Sequence, residues 1–253
     1  MSISLDEAVE LTRTGDVWVF RGRSVPDRAI QFTTNSPVNH VGMAVVLDDM
    51  PPLMWHAELG RSLPDLWSGT HQRGVQLHDL RDAVCVWANR YGQRAWLRQL
   101  DPPADGEMER AVLRTIARLD GTPFPSTAQL AWRWARGRVP TLPLPGRPAP
   151  RRNPATPAIP AGRAGSAGER DQATPASPAT PASPAGSAGE RDRALETAYC
   201  AEVVAVTYEA MGLLPAGRRP NWYDPGRFWS GDDLGLAADA RLGSEIEVRV
   251  PPR

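Results

Sequence analysis

Hydrophobic residues along the chain recur with two different spacings, which together predict a mixed α and β structure. Residues 107–119 carry the clearest helical pattern, because their apolar positions lie three and four residues apart. A second apolar helix is predicted over residues 199–211, and Gly212 follows it where glycine commonly ends a helix. Three shorter helices are predicted at residues 6–12, 26–32 and 126–135.

Short apolar runs between these helices predict strands. They lie at residues 17–20, 38–47, 53–58, 75–77, 84–88 and 246–250. The segment 48–52, with the sequence DDMPP, is typical of a turn, so the strands on either side of it are expected to form an antiparallel hairpin. The predicted fold class is therefore α+β, with a small, curved antiparallel sheet against which the helix at 199–211 packs.

A change of composition divides the chain at residues 139–196. Proline, alanine, glycine and serine dominate this segment, and the sequence GSAGERD occurs in it twice, at 165–171 and 186–192. Such a segment has too few apolar residues to offset the entropy of ordering it, so we expect a disordered insert. Residues 1–138 and 197–253 are then expected to form two parts of one domain, and the insert could bind a protein partner.

Composition narrows the range of functions. Basic and acidic residues both number 29, so the net charge of zero argues against a general affinity for nucleic acid. Two cysteines in a chain of 253 residues do not make a disulfide framework, which favours reduced thiols and a cytoplasmic location. The first residues lack the pattern of a signal peptide, and no apolar run has the roughly 20 residues of a membrane span.

Cys200 and His40 are the residues with the clearest chemical potential. Cys200 begins a predicted helix, where the helix dipole and unpaired N–H groups favour a thiolate, so we expect a lowered pKa. His40 begins the most apolar predicted strand, where an imidazole could serve as the base for a thiol. Cys85 lies in an apolar segment and is expected to be a buried, inert thiol.

His56 and Glu58 alternate along the next predicted strand, and the hairpin can bring either of them to His40. A third polar group of this kind is what orients the imidazole in catalytic triads. A zinc site made of His40, His56, Glu58 and Cys200 is an alternative, although its spacing matches no short ligand signature. The remaining histidines, at positions 71 and 78, are expected to be solvated.

The order of three short sequences resembles the circularly permuted papain-like thiol hydrolases. They are GDV at 15–17, NHVG at 39–42 and YCAEVV at 199–204, and in the permuted enzymes too the histidine precedes the cysteine. The relatives include the NlpC-type and YiiX-like amidases and peptidases and, more distantly, the lecithin:retinol acyltransferase group. The resemblance implies that Cys200 is the nucleophile, His40 the general base and His56 the third polar group.

The same resemblance leaves three further positions open. Glu58 is the alternative third member, Asp16 belongs to the Gly-Asp signature but could equally be a turn residue, and Tyr199 could line the cleft. The implied function is hydrolysis of an amide, peptide or (thio)ester bond, with a peptide, amide or lipid-ester substrate and neither metal nor organic cofactor. An acyltransferase acting on lipid and a non-catalytic binding module of the same fold are the alternatives.

Overall fold

The structure is a computed structural model that describes residues 1–22, 37–58, 60, 62–123, 200–230, 234–237 and 239–252. The predicted helices at 26–32 and 126–135, the insert at 139–196 and Tyr199 lie outside the described residues. Within these ranges, no helix has both the length and the apolar character needed to cross a membrane.

Seven strands of the described residues form one open sheet in the order β1-β9-β6-β2-β3-β4-β5. They are β1 (Ser2–Ser4), β2 (Val17–Arg21), β3 (His40–Val45), β4 (Leu53–Glu58), β5 (Gly74–Asp79), β6 (Arg94–Arg98) and β9 (Ile246–Arg249). Neighbouring strands run antiparallel except β1 and β9, which are parallel. The α+β class and the β3–β4 hairpin are thus confirmed, and the sheet is mixed rather than wholly antiparallel.

The remaining elements surround this sheet. The helices of the described residues are α1 (Leu5–Leu11), α2 (Leu80–Tyr91), α3 (Gly106–Leu119) and α4 (Cys200–Ala210), with 3-10 turns at Pro220–Trp222 and Pro225–Phe228. A second, two-stranded sheet pairs β7 (Leu100–Asp101) with β8 (Arg241–Leu242). The helices predicted from the periodicity at 6–12, 107–119 and 199–211 are therefore confirmed to within about two residues.

The two faces of the large sheet bury separate hydrophobic clusters, because successive side chains of a strand point to opposite sides. Val41 and Met43 of β3 pack in the same cluster as Val203 of α4, and we call this side the α4 face. Ala44 of β3 packs in the same cluster as Trp87 of α2, and we call that side the α2 face. On β3, β4 and β5, odd-numbered residues therefore face α4, and even-numbered residues face α2.

Helix α2 replaces the strand predicted at residues 84–88, and that prediction was wrong. Asp79 caps its first turn by accepting a hydrogen bond from the backbone N–H of Asp82. Gly92 ends it in the left-handed conformation, with φ of 63°. A short apolar run such as that around Val84 does not distinguish a buried strand from a buried helix, whereas these two caps do.

Two segments cover the outer edge of β5. The backbone N–H of Leu66 donates to the carbonyl of Leu77 at 2.8 Å, and the N–H of Leu77 donates to Oδ1 of Asp65 at 2.9 Å. Farther along the strand, the N–H of Val75 donates to the carbonyl of Thr122 at 2.8 Å. An uncovered edge would invite pairing with another chain, and this cover also fixes Asp65 beside β5.

Candidate active site

Three histidines lie side by side on the α2 face, one on each of β3, β4 and β5. Nε2 of His40 lies 3.3 Å from Nδ1 of His56, and Nε2 of His56 lies 3.1 Å from Nδ1 of His78. Both separations are hydrogen bonds between ring nitrogens. His56 and His78 are fully buried, whereas His40 keeps part of its surface exposed. We call His40, His56 and His78 the histidine row.

Strand register and one glycine explain why the rings meet. β4 and β5 pair Met54 with His78 and His56 with Gln76, so both histidines fall on the same face, one step apart. On β3, a Cβ at Gly42 would lie 2.5 Å from Sδ of Met54 and 3.3 Å from Cβ of His56. The missing side chain at Gly42 therefore leaves the space that the sulfur of Met54 fills, and it lets the backbone of His56 lie close to β3.

Trp87 of α2 covers the first two rings of the row. Its ring centre lies 5.1 Å from that of His40 and 4.8 Å from that of His56, in edge-to-face contacts. Phe20 of β2 packs edge-on against the same indole, with 4.8 Å between ring centres. This aromatic cover keeps water from the contact between His40 and His56.

Burial keeps the histidine row neutral. Burial, and secondarily the positive charge that His78 would carry, lower the pKa of His40. Burial, followed by the positive charges that His78 and His40 would carry, lowers the pKa of His56 well below its usual value. Burial lowers the pKa of His78 to about 4. All three rings are therefore uncharged at neutral pH, and each carries a single N–H.

Cys200 is the first residue of α4 and is fully buried in the cluster on the α4 face. Burial raises the pKa of its thiol to about 12, although hydrogen bonds from the backbone of Val41 and of Ala201 act in the opposite direction. The nearby carboxylate of Glu202 adds to the rise. The expected lowering of this pKa is thus not what the structure shows, because desolvation outweighs the helix N-terminus.

The thiol and the imidazoles approach the start of β3 from opposite faces of the sheet. His40 pairs with Phe20 on the α2 side, whereas Cys200 packs on the α4 side at the backbone of Val41. Among the described residues, no hydrogen bond joins the thiol to either His40 or His56. The structure therefore brings His40 and His56 together, and it brings Cys200 to the residue next to His40 but not to the ring.

The pairing of β3 with β4 ends at this point. The ladder between the two strands begins with the pair Met43 and Trp55 and runs towards the turn. The N–H of Ala44 points towards β2 and donates to the backbone carbonyl of Asp16 at 2.8 Å. Because successive N–H groups of a strand point to opposite sides, those of Val41 and Met43 point towards β4. Val41 lies beyond the end of the ladder, and its N–H is thereby left for the thiol.

Asp16 is a structural residue in this arrangement. It is fully buried, and its Oδ2 and Oδ1 accept hydrogen bonds of 2.8 Å from the backbone N–H of Arg13 and of Leu100 respectively. Burial raises the pKa of Asp16 to about 6, against the effect of these bonds and of the Arg13 charge. Asp16 thus links strand β7 to the turn that precedes β2, in keeping with the turn role that the sequence left open.

The other candidate residues lie apart from the histidine row or have other partners. Oε1 of Glu58 accepts a hydrogen bond of 2.6 Å from the hydroxyl of Ser62, in the loop that follows β4. His56, rather than Glu58, is the residue bonded to Nε2 of His40. Cys85 is buried in α2, so it is a helical and not a strand residue. Tyr199 lies outside the described residues.

His78 is the member of the row that the sequence reasoning missed, because it was expected to be solvated. The alternation of Val75 and Leu77 places His78 on the other face of β5, and that face is buried too, so the local pattern held no signal of its burial. In the described residues, the histidines form a chain and do not converge on one point, and no set of three His, Cys, Asp or Glu residues could hold a metal ion. The zinc set of the alternative interpretation is therefore not assembled in this part of the chain.

Comparisons with known proteins add little to this geometry. No family model and no curated protein matches the chain. Among solved structures, the chain is similar to the metalloprotein YiiX from Escherichia coli O157:H7, with a TM-score of 0.36 and 21% identity. The alignment covers 49% of this chain and 56% of that one, so it spans about half of either protein. A likeness of this size leaves the family of the chain unassigned.

Proposed function

We propose that the protein is a cysteine hydrolase that cleaves an amide, peptide or (thio)ester bond. The observation that carries the proposal is the meeting of α4 and β3, where the Cys200 thiol is hydrogen-bonded by the backbone of Val41, the residue after His40. His56 holds Nε2 of His40 at 3.3 Å. A candidate nucleophile on the α4 face, and a candidate base with its orienting group on the α2 face, thus lie at the same end of β3.

The chemistry of this proposal uses these groups in sequence. His40 takes the thiol proton as Sγ of Cys200 attacks the substrate carbonyl carbon, and the backbone N–H groups at the thiol stabilise the oxyanion. The bond to the leaving group then breaks, and the leaving group receives the proton from His40. Water attacks the resulting thioester, which releases the acid and restores the thiol.

The proposal requires a rearrangement of His40 when substrate binds. In the arrangement described above, the thiol is protonated and the ring lies on the α2 face. His40 is the first residue of β3, is partly exposed and lies beyond the end of the β3–β4 ladder, so the backbone that carries its ring is not paired with β4. The structure then corresponds to a resting state whose thiol and base are not yet paired.

Burst kinetics with a p-nitrophenyl ester test this proposal. We expect wild-type protein to release a burst of p-nitrophenol equal to the protein concentration, because the first acyl transfer to Cys200 precedes slower hydrolysis. Cys200→Ala should abolish the burst, and Cys85→Ala, which removes the other buried thiol, should retain it. An unchanged burst in Cys200→Ala would refute the assignment of the nucleophile.

A non-catalytic binding module is the second candidate, and one observation favours it. A thiol with a pKa raised to about 12 in an apolar cluster is also what a packed core cysteine shows. This candidate predicts no burst from the wild-type protein with any ester, thioester or amide donor. The kinetic test therefore separates the two functions.

A further inference from the structure

Two arginines face each other on the α4 face of the sheet, at the last residue of β2 and the first residue of β6. Arg21 pairs with Arg94, and their guanidinium carbons lie 5.7 Å and 4.9 Å from the ring centre of Trp96. Arg94 also forms an ion pair with Glu247 of β9. Like charges directly opposite each other on one face of an antiparallel pair repel. The ion pair therefore compensates only one of the two positive charges.

Arg21 carries the uncompensated charge. In the part of the chain that the structure describes, no carboxylate forms an ion pair with Arg21, and only its Nε makes a hydrogen bond, to the backbone carbonyl of Pro37. That bond and the indole of Trp96 orient the guanidinium, which is partly exposed. The donors on Nη1 and Nη2 then form a fork that fits the two oxygens of a carboxylate. Arg21 is thus prepared to bind an anion.

Apolar surface adjoins this guanidinium. Trp96 is buried, and the ring of Trp229 packs edge-on against it, with 5.2 Å between the ring centres. Trp229 keeps part of its own surface exposed. Binding sites for small ligands combine such apolar walls with a few placed polar groups. We call Arg21, Trp96 and Trp229 the arginine site, and its composition suits a ligand with an apolar chain and an anionic end.

The arginine site lies on the same face as Cys200 and at the same end of the sheet. The ladders pair Val41 with Val19 and Val19 with Trp96, so these residues form one row across three strands. The thiol of Cys200 is hydrogen-bonded at the backbone of Val41. Arg21 lies one strand across and two residues along from Val41, which puts their Cα atoms about 8 Å apart for a strand spacing of about 4.8 Å and a rise of about 3.4 Å per residue. One substrate of modest size can therefore reach both groups.

We propose that the arginine site binds a carboxylate of the substrate, so that the hydrolase acts on acidic substrates. The role in substrate recognition rests on the proposed function, whereas the binding of a carboxylate at Arg21 does not. Nη1 and Nη2 donate to the two carboxylate oxygens, and the indole rings contact the chain that joins the carboxylate to the scissile bond. If Arg21 served only to cover Trp96, its replacement would leave the preference between substrates unchanged.

Kinetics with matched esters test the substrate preference. Mono-p-nitrophenyl suberate carries a carboxylate at the far end of its acyl chain, and its methyl ester has the same chain without the charge. We expect the wild-type protein to show the lower KM for the charged ester. Arg21→Gln should raise that KM about tenfold, as loss of a charged hydrogen bond at a partly exposed site does, and should leave kcat and the KM of the methyl ester unchanged. The phenyl and 4-carboxyphenyl esters of hexanoic acid repeat the comparison with the carboxylate on the leaving group.

Arg90→Gln is the matched control, because Arg90 also lies over an aromatic ring, that of Tyr91 at 5.5 Å, but on α2. It should keep the wild-type KM for every ester. Arg21→Lys keeps the charge without the fork, and we expect its KM for the charged ester to be intermediate. Equal KM values for charged and uncharged esters in both wild-type comparisons, or an equal rise in Arg21→Gln and Arg90→Gln, would overturn the inference. Should Arg21→Gln not fold, wild type and Arg21→Lys decide.

A binding measurement separates this inference from the proposed function. Full-length Cys200→Ala, labelled with ¹⁵N, is titrated with suberic acid monoamide, which carries the carboxylate and no reactive ester. We expect a saturable shift of the Arg21 Nε–H signal, which is assigned by its loss in Arg21→Lys, and no shift with the uncharged diamide. Absence of a saturable shift would overturn carboxylate binding at Arg21. Because no thiol takes part, a failure of the burst assay and a failure of the arginine site are distinguishable.

Discussion

Neutral His78 should make the stability of the protein depend on pH. Burial lowers the pKa of His78 from 6.5 to about 4. Between these values the unfolded chain binds more protons at this position than the folded protein does, so stability is fully present above pH 6.5 and is lost as the pH falls towards 4. The full loss is about 3 kcal/mol at about 1.4 kcal/mol per pKa unit, and about 2 kcal/mol of it falls between pH 7.5 and pH 5.

The perturbation is His78→Asn, which removes the titrating ring and keeps a polar group at the buried position. Urea unfolding at pH 7.5 and at pH 5 gives the free energy of unfolding for each protein. We expect the loss between the two pH values to be smaller in His78→Asn than in wild type by about 2 kcal/mol.

A matched control isolates this effect. His71→Asn changes an exposed histidine and should keep the pH dependence of the wild type. Burial raises the pKa of Asp16 and of Asp120 to about 6, which opposes the histidine effect, but both carboxyls are present in every variant and cancel in the comparison. Equal pH dependence in wild type and His78→Asn would refute the buried, neutral state of His78.

Three further predictions follow from the packing and the sequence. Gly42→Ala places a Cβ 2.5 Å from the sulfur of Met54 and should lower the free energy of unfolding, measured in urea, by about 1–3 kcal/mol. In the control Gly106→Ala, the added Cβ makes only an ordinary contact at 3.5 Å, and the free energy of unfolding should be nearly unchanged. Equal losses in the two variants would contradict the tight packing at Gly42. Iodoacetamide should label Cys200 of the resting protein at pH 6 no faster than it labels Cys85, because burial raises the pKa of the Cys200 thiol to about 12. Mass spectrometry measures the labelling, and rapid, selective labelling of Cys200 would disprove the buried, protonated thiol. Deletion of residues 150–192 should leave the thermal midpoint nearly unchanged, since the segment is predicted to contribute no core, and a large drop would show that it packs on the domain.

Local patterns along the chain were enough to predict α3, α4 and the hairpin that carries two of the histidines. Periodicity of 3.6 residues marked α3, and the turn at 48–52 fixed the pairing that places His56 beside His40. These features depend on neighbours in the sequence, which is why the pattern was sufficient. The hairpin predicted that His56 or Glu58 would lie near His40, and the structure shows that His56 is the residue in contact.

Long-range features were beyond the reach of such patterns. The face on which Cys200 meets β3 depends on the register of the strand, where a shift of one residue moves every side chain to the other side. The burial of His78 depends on α2 and on the loop that carries Asp65, which approach from separate parts of the chain. The lowered thiol pKa failed as a prediction because a helix N-terminus was weighed without the desolvation that packing imposes.

Intact-mass analysis after incubation with a p-nitrophenyl ester tests the central claim, that Cys200 is a nucleophile served by His40. The account predicts one acyl adduct per chain, located on Cys200 by peptide mapping, in wild type and in His71→Ala. It predicts that adduct formation slows by about 10²- to 10⁴-fold in His40→Ala, the range that loss of a general base produces. An adduct that forms equally fast without His40, or that never forms on Cys200, would contradict the account.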